Sequence, residues 1–102
     1  MAIECLSAGI LFADVACAPV ERVPEAGELV PTERMQLSLG GCASNTALDL
    51  AKVGVNVGVS GCVGDDPFGR FIVEALSVDR IDTSGIHEVP GVGSAASLVI
   101  NV

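Results

Sequence analysis

Two separated pieces of the chain carry residue types that could hold a polyhydroxylated ligand. One is Asp14, which follows an apolar run. The other is Gly40-Gly41-Cys42-Ala43-Ser44-Asn45. An ionised carboxylate accepts hydrogen bonds on both oxygens, so a single aspartate can take two hydroxyls of a vicinal diol. Two successive glycines let the backbone bend sharply and let a ligand approach it closely. An amide such as that of Asn45 both donates and accepts. A glycine turn leading into a helix leaves the helix's first N–H groups free to face an oxygen-rich ligand. Each residue also has a plainer reading. Taken alone, Asp14 reads more readily as a turn or capping aspartate, and Ser44 or Asn45 can serve as the helix cap. Cys42 is a thiol at a helix start, where a pKa can fall, but it reads better as an inert small residue.

The elements around these residues follow from periodicity. Residues 37–54 read as a short strand, the di-glycine turn, and a helix with an apolar stripe of Ala47, Leu48, Leu50, Ala51 and Val53. Gly54 is placed to end that helix in a left-handed conformation. Residues 2–12 are nearly continuously apolar, as in a strand covered on both faces. Gly9 interrupts that run, and a glycine in a strand often marks close approach of a ligand or another backbone. Asp14 then falls just past its carboxyl end, where ligands sit in open α/β sheets. Residues 55–63 have period-two spacing, which completes a right-handed βαβ unit. In Gly64-Asp65-Asp66-Pro67-Phe68-Gly69, either aspartate can cap a second helix that has Pro67 near its first position. Phe68, Phe71, Ile72, Ala75 and Leu76 recur along that helix at helical spacing.

The remaining segments are less regular. Pro19, Pro24 and Pro31 divide residues 15–39 into short pieces. Residues 20–23 and 28–30 read as extended edge segments, and 35–39 alternate as a half-buried strand does. The expectation is a flap of two or three strands. Residues 81–85 read as a linker and 86–89 as a short strand, with His87 on the surface. Residues 95–102 read as a final apolar strand that stops without a turn, and the expectation is an incomplete chain.

Composition excludes several classes. With 102 residues there is room for one small domain, and the net charge of −8 repels nucleic-acid backbones and anionic membranes. The four cysteines form no C-x-x-C pair, so no zinc site is expected. The start has no basic n-region, and no apolar run reaches the ~20 residues that span a bilayer. A cytoplasmic protein with reduced thiols is expected. There is no G-x-x-x-x-G-K-[ST] loop and no G-x-G-x-x-G fingerprint, so a dinucleotide-binding domain is a distant reading. Asp65 and Asp66 alone make a poor metal site.

Gly40, Gly41, Ala43, Asn45, Ala47, Gly54 and Gly64 match, at fixed intervals, the first signature of another family. In this the chain resembles the N-terminal portion of a ribokinase-like (PfkB-type) carbohydrate kinase. Gly9-Ile10-Leu11-Phe12-Ala13-Asp14 and Gly61 to Gly69 resemble that family's first-strand and turn motifs, and the likeness covers nearly all 102 residues. The resemblance implies an α/β fold, Rossmann-like, with a parallel central sheet flanked by helices and a small β lid. The lid strands would fall within 15–39 and 86–102, and lids of this kind often make a homodimer contact. It implies that Asp14, Gly40, Gly41, Cys42 and Asn45 bind sugar, with ATP and Mg as cofactors. Cys42 replaces the lysine of ribokinases proper, which puts ribose specificity in doubt. The family's Gly-Ala-Gly-Asp motif, which carries the catalytic base, does not occur in this sequence. No catalytic residue is therefore expected here: residues 1–102 would form the N-terminal part of a kinase domain and supply its sugar side. The competing expectations are a nucleoside kinase of the same family, favoured if Phe12 stacks on a base, and a non-catalytic polyol-binding or dimerisation module.

Overall fold

A computed structural model describes residues 2–102. The chain folds into two three-stranded sheets, of order β1-β4-β5 and β3-β2-β6, and two helices. The first sheet is the core: β1 (Cys5–Ala8), β4 (Val57–Gly64) and β5 (Asp82–Val89), all parallel. The second is the lid: β2 (Phe12–Cys17) runs antiparallel to β3 (Met35–Gly40) and parallel to β6 (Ala96–Val99). Helix α1 (Cys42–Lys52) links β3 to β4, and α2 (Pro67–Ser77) links β4 to β5.

Because β1, β4 and β5 step one way across the core sheet, right-handed crossovers put both helices on the same face. On that face Ser7, Val57, Val59 and Val63 are buried, together with Ala43, Ala47, Ile72 and Leu76 from the helices. The Ser7 hydroxyl donates to the carbonyl of Ala43 at 2.8 Å, tying β1 to the first turn of α1. Leu6 points the other way and is exposed.

Several expectations are corrected by this arrangement. The apolar run 2–12 is not one strand. It divides at Gly9, whose φ of +148° suits glycine, into β1 of the core and β2 of the lid. Asp14 therefore lies inside a lid strand, not past the end of a core strand. Residues 20–23 and 28–30 join no strand, and 18–34 form a long loop. Its three prolines cannot donate to a ladder. Instead, Thr32 donates to the Ala18 carbonyl at 3.0 Å, and Arg22 pairs with Glu28. Residues 82–85, read as linker, open β5. Their polar composition hides a strand whose backbone is satisfied by parallel pairing with β4. Only residues 96–99 of the last apolar run are strand. Neither Ser44 nor Asn45 caps α1. The helix starts at Cys42 behind Gly41, with no side-chain cap, and Ser44 is fully buried.

Other expectations hold. Asp66 caps α2 by accepting from the N–H of Gly69 at 2.8 Å, with Pro67 at the start of the helix. Gly54 follows α1 with φ +90°. His87 is exposed. No helix among the described residues is long and apolar enough to cross a membrane.

Candidate functional site

Residues paired across a sheet share a face, and so do residues two apart on one strand. Asp14 pairs with Ser38 on one side and Ser97 on the other, while Phe12 pairs with Gly40. One lid face therefore carries Phe12, Asp14, Ser38, Gly40 and Ser97. Phe12 and Asp14 thus lie on the same side. The opposite face carries Ala13, Val15, Leu37, Leu39, Met35 and Leu98.

The Asp14 carboxylate sits directly against Gly40. A methyl group built on Gly40 would collide with Oδ2 and come within 2.7 Å of the carboxyl carbon. Glycine is required here by contact and not by backbone strain, since its φ is not positive. Gly41 is held differently. Its φ is +90°, and a side chain there would strike the carbonyl of Ile10. The N–H of Ala43 reaches that same carbonyl at 3.3 Å. The bend at 40–41 is thus pressed against the segment joining β1 to β2. Cys42 is the first residue of α1 and Asn45 lies in its first turn, both exposed. The N–H of Asn45 bonds the Gly41 carbonyl at 3.0 Å, so its side chain is carried by an ordered turn.

A cavity of about 520 Å³ opens at the carboxyl end of β1 and against the middle of β4, lined by Gly9, Ile10, Ser60, Gly61, Cys62 and Ala95 among others. On its β1 side it borders the crevice where parallel α/β sheets receive ligands. A second cavity of about 590 Å³ lies along 18–22 and 30–33, and neither cavity is lined by Asp14, Gly40, Gly41, Cys42 or Asn45.

Two site features were not read from the sequence. Ser97 donates its hydroxyl to Oδ1 of Asp14 at 2.7 Å. Its signal is faint: it is the one polar side chain in the apolar run 95–100. Ser94 forms the root of β6. Its N–H reaches Asp66 Oδ2 at 2.8 Å and its hydroxyl reaches Asp66 Oδ1 at 2.6 Å. The same hydroxyl accepts from the Gly64 N–H at 2.8 Å. The hydroxyl and N–H of Ser94, then the N–H of Gly69, hold the Asp66 carboxyl down at about 2. Asp65 accepts from the N–H of Gly91 at 3.3 Å. Both acidic side chains of the turn thus secure backbone. Among the described residues no three His, Cys, Asp or Glu side chains converge as a metal site would require.

A small second sheet joined to a parallel sheet at Gly9, at the 40–41 bend and before β6, with a carboxylate against that bend, defines a class of α/β proteins that carry a β flap. The comparisons give the family. The pfkB family carbohydrate kinase profile matches residues 3–101, and the chain belongs to that family. It is 40% identical over 48 residues to a fructokinase of Salmonella typhimurium, a match covering 47% of this chain and 16% of that one. It is 32% identical over 63 residues to a ribokinase of Haemophilus influenzae, covering 62% and 21%. The structure of Arabidopsis thaliana ribokinase complexed with ribose and ATP superposes with a TM-score of 0.86 at 26% identity, over 96% of this chain and 32% of that one. The chain thus spans about a third or less of the length of these relatives. The fold is the ribokinase fold.

Proposed function

We propose that this chain forms the acceptor-binding side of an ATP-dependent kinase that phosphorylates a hydroxyl group of a sugar. The observation that carries the reading is the Asp14 carboxylate seated on the Gly40 Cα, beside the bend that starts α1. In this reading Asp14 accepts hydrogen bonds from sugar hydroxyls, and Asn45 donates to and accepts from another. Gly40 and Gly41 let the ring approach, and Cys42 lines the edge. Cys42 brings no positive charge to the helix start, which suits a neutral sugar better than a sugar phosphate.

Residues 1–102 are read as the N-terminal part of the kinase domain. ATP and Mg come into the reading through the family, whose Arabidopsis member was solved with ATP. The described residues do not fit a magnesium site, so no step is assigned to a metal held by them. The catalytic base is likewise placed outside these residues, because the sequence has no Gly-Ala-Gly-Asp motif. Homodimerisation through the lid belongs to the same proposal. It is supported by Met35, Leu37 and Leu98, which leave the lid's apolar face 61%, 41% and 67% exposed. Faces of that kind favour a partner.

Calorimetric titration of the chain with D-fructose and with D-ribose tests the reading. Binding of at least one sugar, with an affinity that falls in Asp14→Asn but stays measurable, is the expected result. No heat from either sugar, or equal affinity in the variant, would remove the basis for the assignment.

A further inference from the structure

We propose that Ser97 is a positioning residue for Asp14, delivered to it by the register of β6 on β2. This rests on the reading of Asp14 as a sugar ligand. It adds a residue to which no role attaches otherwise.

Asp14 is confined from two sides. On the β3 side Oδ2 lies over the Cα of Gly40, with no side chain to press on it. On the β6 side Ser97 holds Oδ1 at 2.7 Å. An aspartate on a strand has several staggered χ1 choices. Without the serine, nothing on the β6 side selects one of them. A bond from a neutral hydroxyl to a carboxylate is among the stronger hydrogen bonds and is directional. It spends one acceptor position on Oδ1 and leaves Oδ2, above the glycine, for the ligand. A carboxylate already fixed in its binding orientation loses no rotamer freedom when a sugar arrives, and that saving appears as affinity.

The delivery of Ser97 is itself built. Among the described residues, the four-residue strand β6 pairs only with β2. So short a strand pins its register weakly. Three residues upstream, Ser94 is clamped by Asp66 through two hydrogen bonds and by the Gly64 N–H through a third. A side chain on Gly64 would run into the carbonyl of Val92, so the turn before β6 lies flat on the end of β4. Downstream, the Asn101 side chain donates to the Cys17 carbonyl at 2.8 Å. With both ends of β6 anchored, Ser97 is set opposite Asp14 and cannot slip to Ala96 or Leu98.

Two measurements on the full chain test this. The χ1 distribution of Asp14, read from three-bond couplings of its β-protons, should be a single rotamer in the native chain and in Ser97→Thr. In Ser97→Ala it should average over rotamers. A single unchanged rotamer in Ser97→Ala overturns the proposal whether or not any sugar binds. In calorimetry with whichever of D-fructose or D-ribose binds, Ser97→Ala should weaken affinity about tenfold, and Ser97→Thr should restore it. The Asp14→Asn, Ser97→Ala double variant should bind no worse than Asp14→Asn alone. Native affinity in Ser97→Ala alongside reduced affinity in Asp14→Asn sinks the role of Ser97 and spares that of Asp14. Additive losses in the double variant likewise refute action through Asp14. Unchanged binding in Asp14→Asn refutes the sugar reading itself, and the rotamer measurement still decides what Ser97 does.

Discussion

The core and the lid are built from the same alternating apolar strands, yet they reach opposite ends. In the core, Val57, Val59, Ile72 and Leu76 are each 2% exposed or less. Two helices cover one face of a parallel sheet, and burial fixes the structure. In the lid, Ala13 and Leu39 join the core while Met35, Leu37 and Leu98 of the same apolar face stay open, and the opposite face holds Asp14 and Gly40. Its order comes from backbone ladders and a few hydrogen bonds: Ser97 to Asp14, Ser94 to Asp66, Thr32 to Ala18. The comparison teaches where each kind of residue change should register. Core changes should cost stability and leave binding chemistry alone. Lid changes should do the reverse, because ligand-binding elements are drawn from the less stable part of a fold.

The largest expected effect tests the core half. Ile72→Ala removes a fully buried side chain from α2 and leaves a cavity beneath it. Such changes cost about 2–5 kcal/mol, a large part of the stability of so small a domain. Urea unfolding followed by circular dichroism should show the loss. Any folded fraction should keep native sugar affinity. A cost below about 1 kcal/mol would mean that burial does not hold the core.

Gly40→Ala probes the lid half. The new methyl would occupy the space of the Asp14 carboxylate, which must swing away. Sugar affinity should fall about tenfold or more, with an unfolding cost smaller than that of Ile72→Ala. The useful control is Gly54→Ala after α1. Its φ is +90° but it faces open space, so it should cost about 1 kcal/mol and leave binding untouched. Equal effects of the two alanines on affinity would erase the distinction between a glycine needed for contact and one needed for conformation.

How much of this was legible in the sequence depends on whether a signal was local. The glycine bend, α1 behind it, the second helix with its Asp66 cap, and the left-handed Gly54 all rest on spacings of a few residues. The sequence could not tell a core strand from a lid strand, because residues 5–8 and 12–17 are equally apolar. Only the φ of Gly9 separates them. The missing cap on α1 is a tertiary effect: Ser44 is drawn fully into the core, where its hydroxyl finds no partner among the described residues. β5 is hard to see locally because Thr83, Ser84, Gly85 and His87 look like loop, and parallel pairing to β4 overrides that composition. In the site, Asp14 and Gly40 were candidates by residue type. Ser97 was not, because its bond to Asp14 spans 83 residues and depends on a register no local pattern encodes.

The smallest expected effect sits on the joint between the two regions. Asp66 belongs to the core helix by its cap and to the lid by its grip on Ser94. Its carboxyl is lowered from its usual 3.8 to about 2, first by the Ser94 hydroxyl, then by the N–H groups of Ser94 and Gly69. A depressed pKa means that the folded state prefers the ionised form. The stabilisation is therefore fully present above about pH 4 and is lost as the pH falls through about 2. Asp66→Asn keeps an oxygen for the cap but has no charge to titrate. Melting temperatures of the native chain and this variant should differ by a constant gap above pH 4, with the native chain higher. The gap should close between pH 4 and pH 2, because the native chain loses its charged acceptor there and the variant has none to lose. A gap independent of pH would show that Asp66 acts through shape alone. The joint between core and lid would then owe nothing to the charge on that residue.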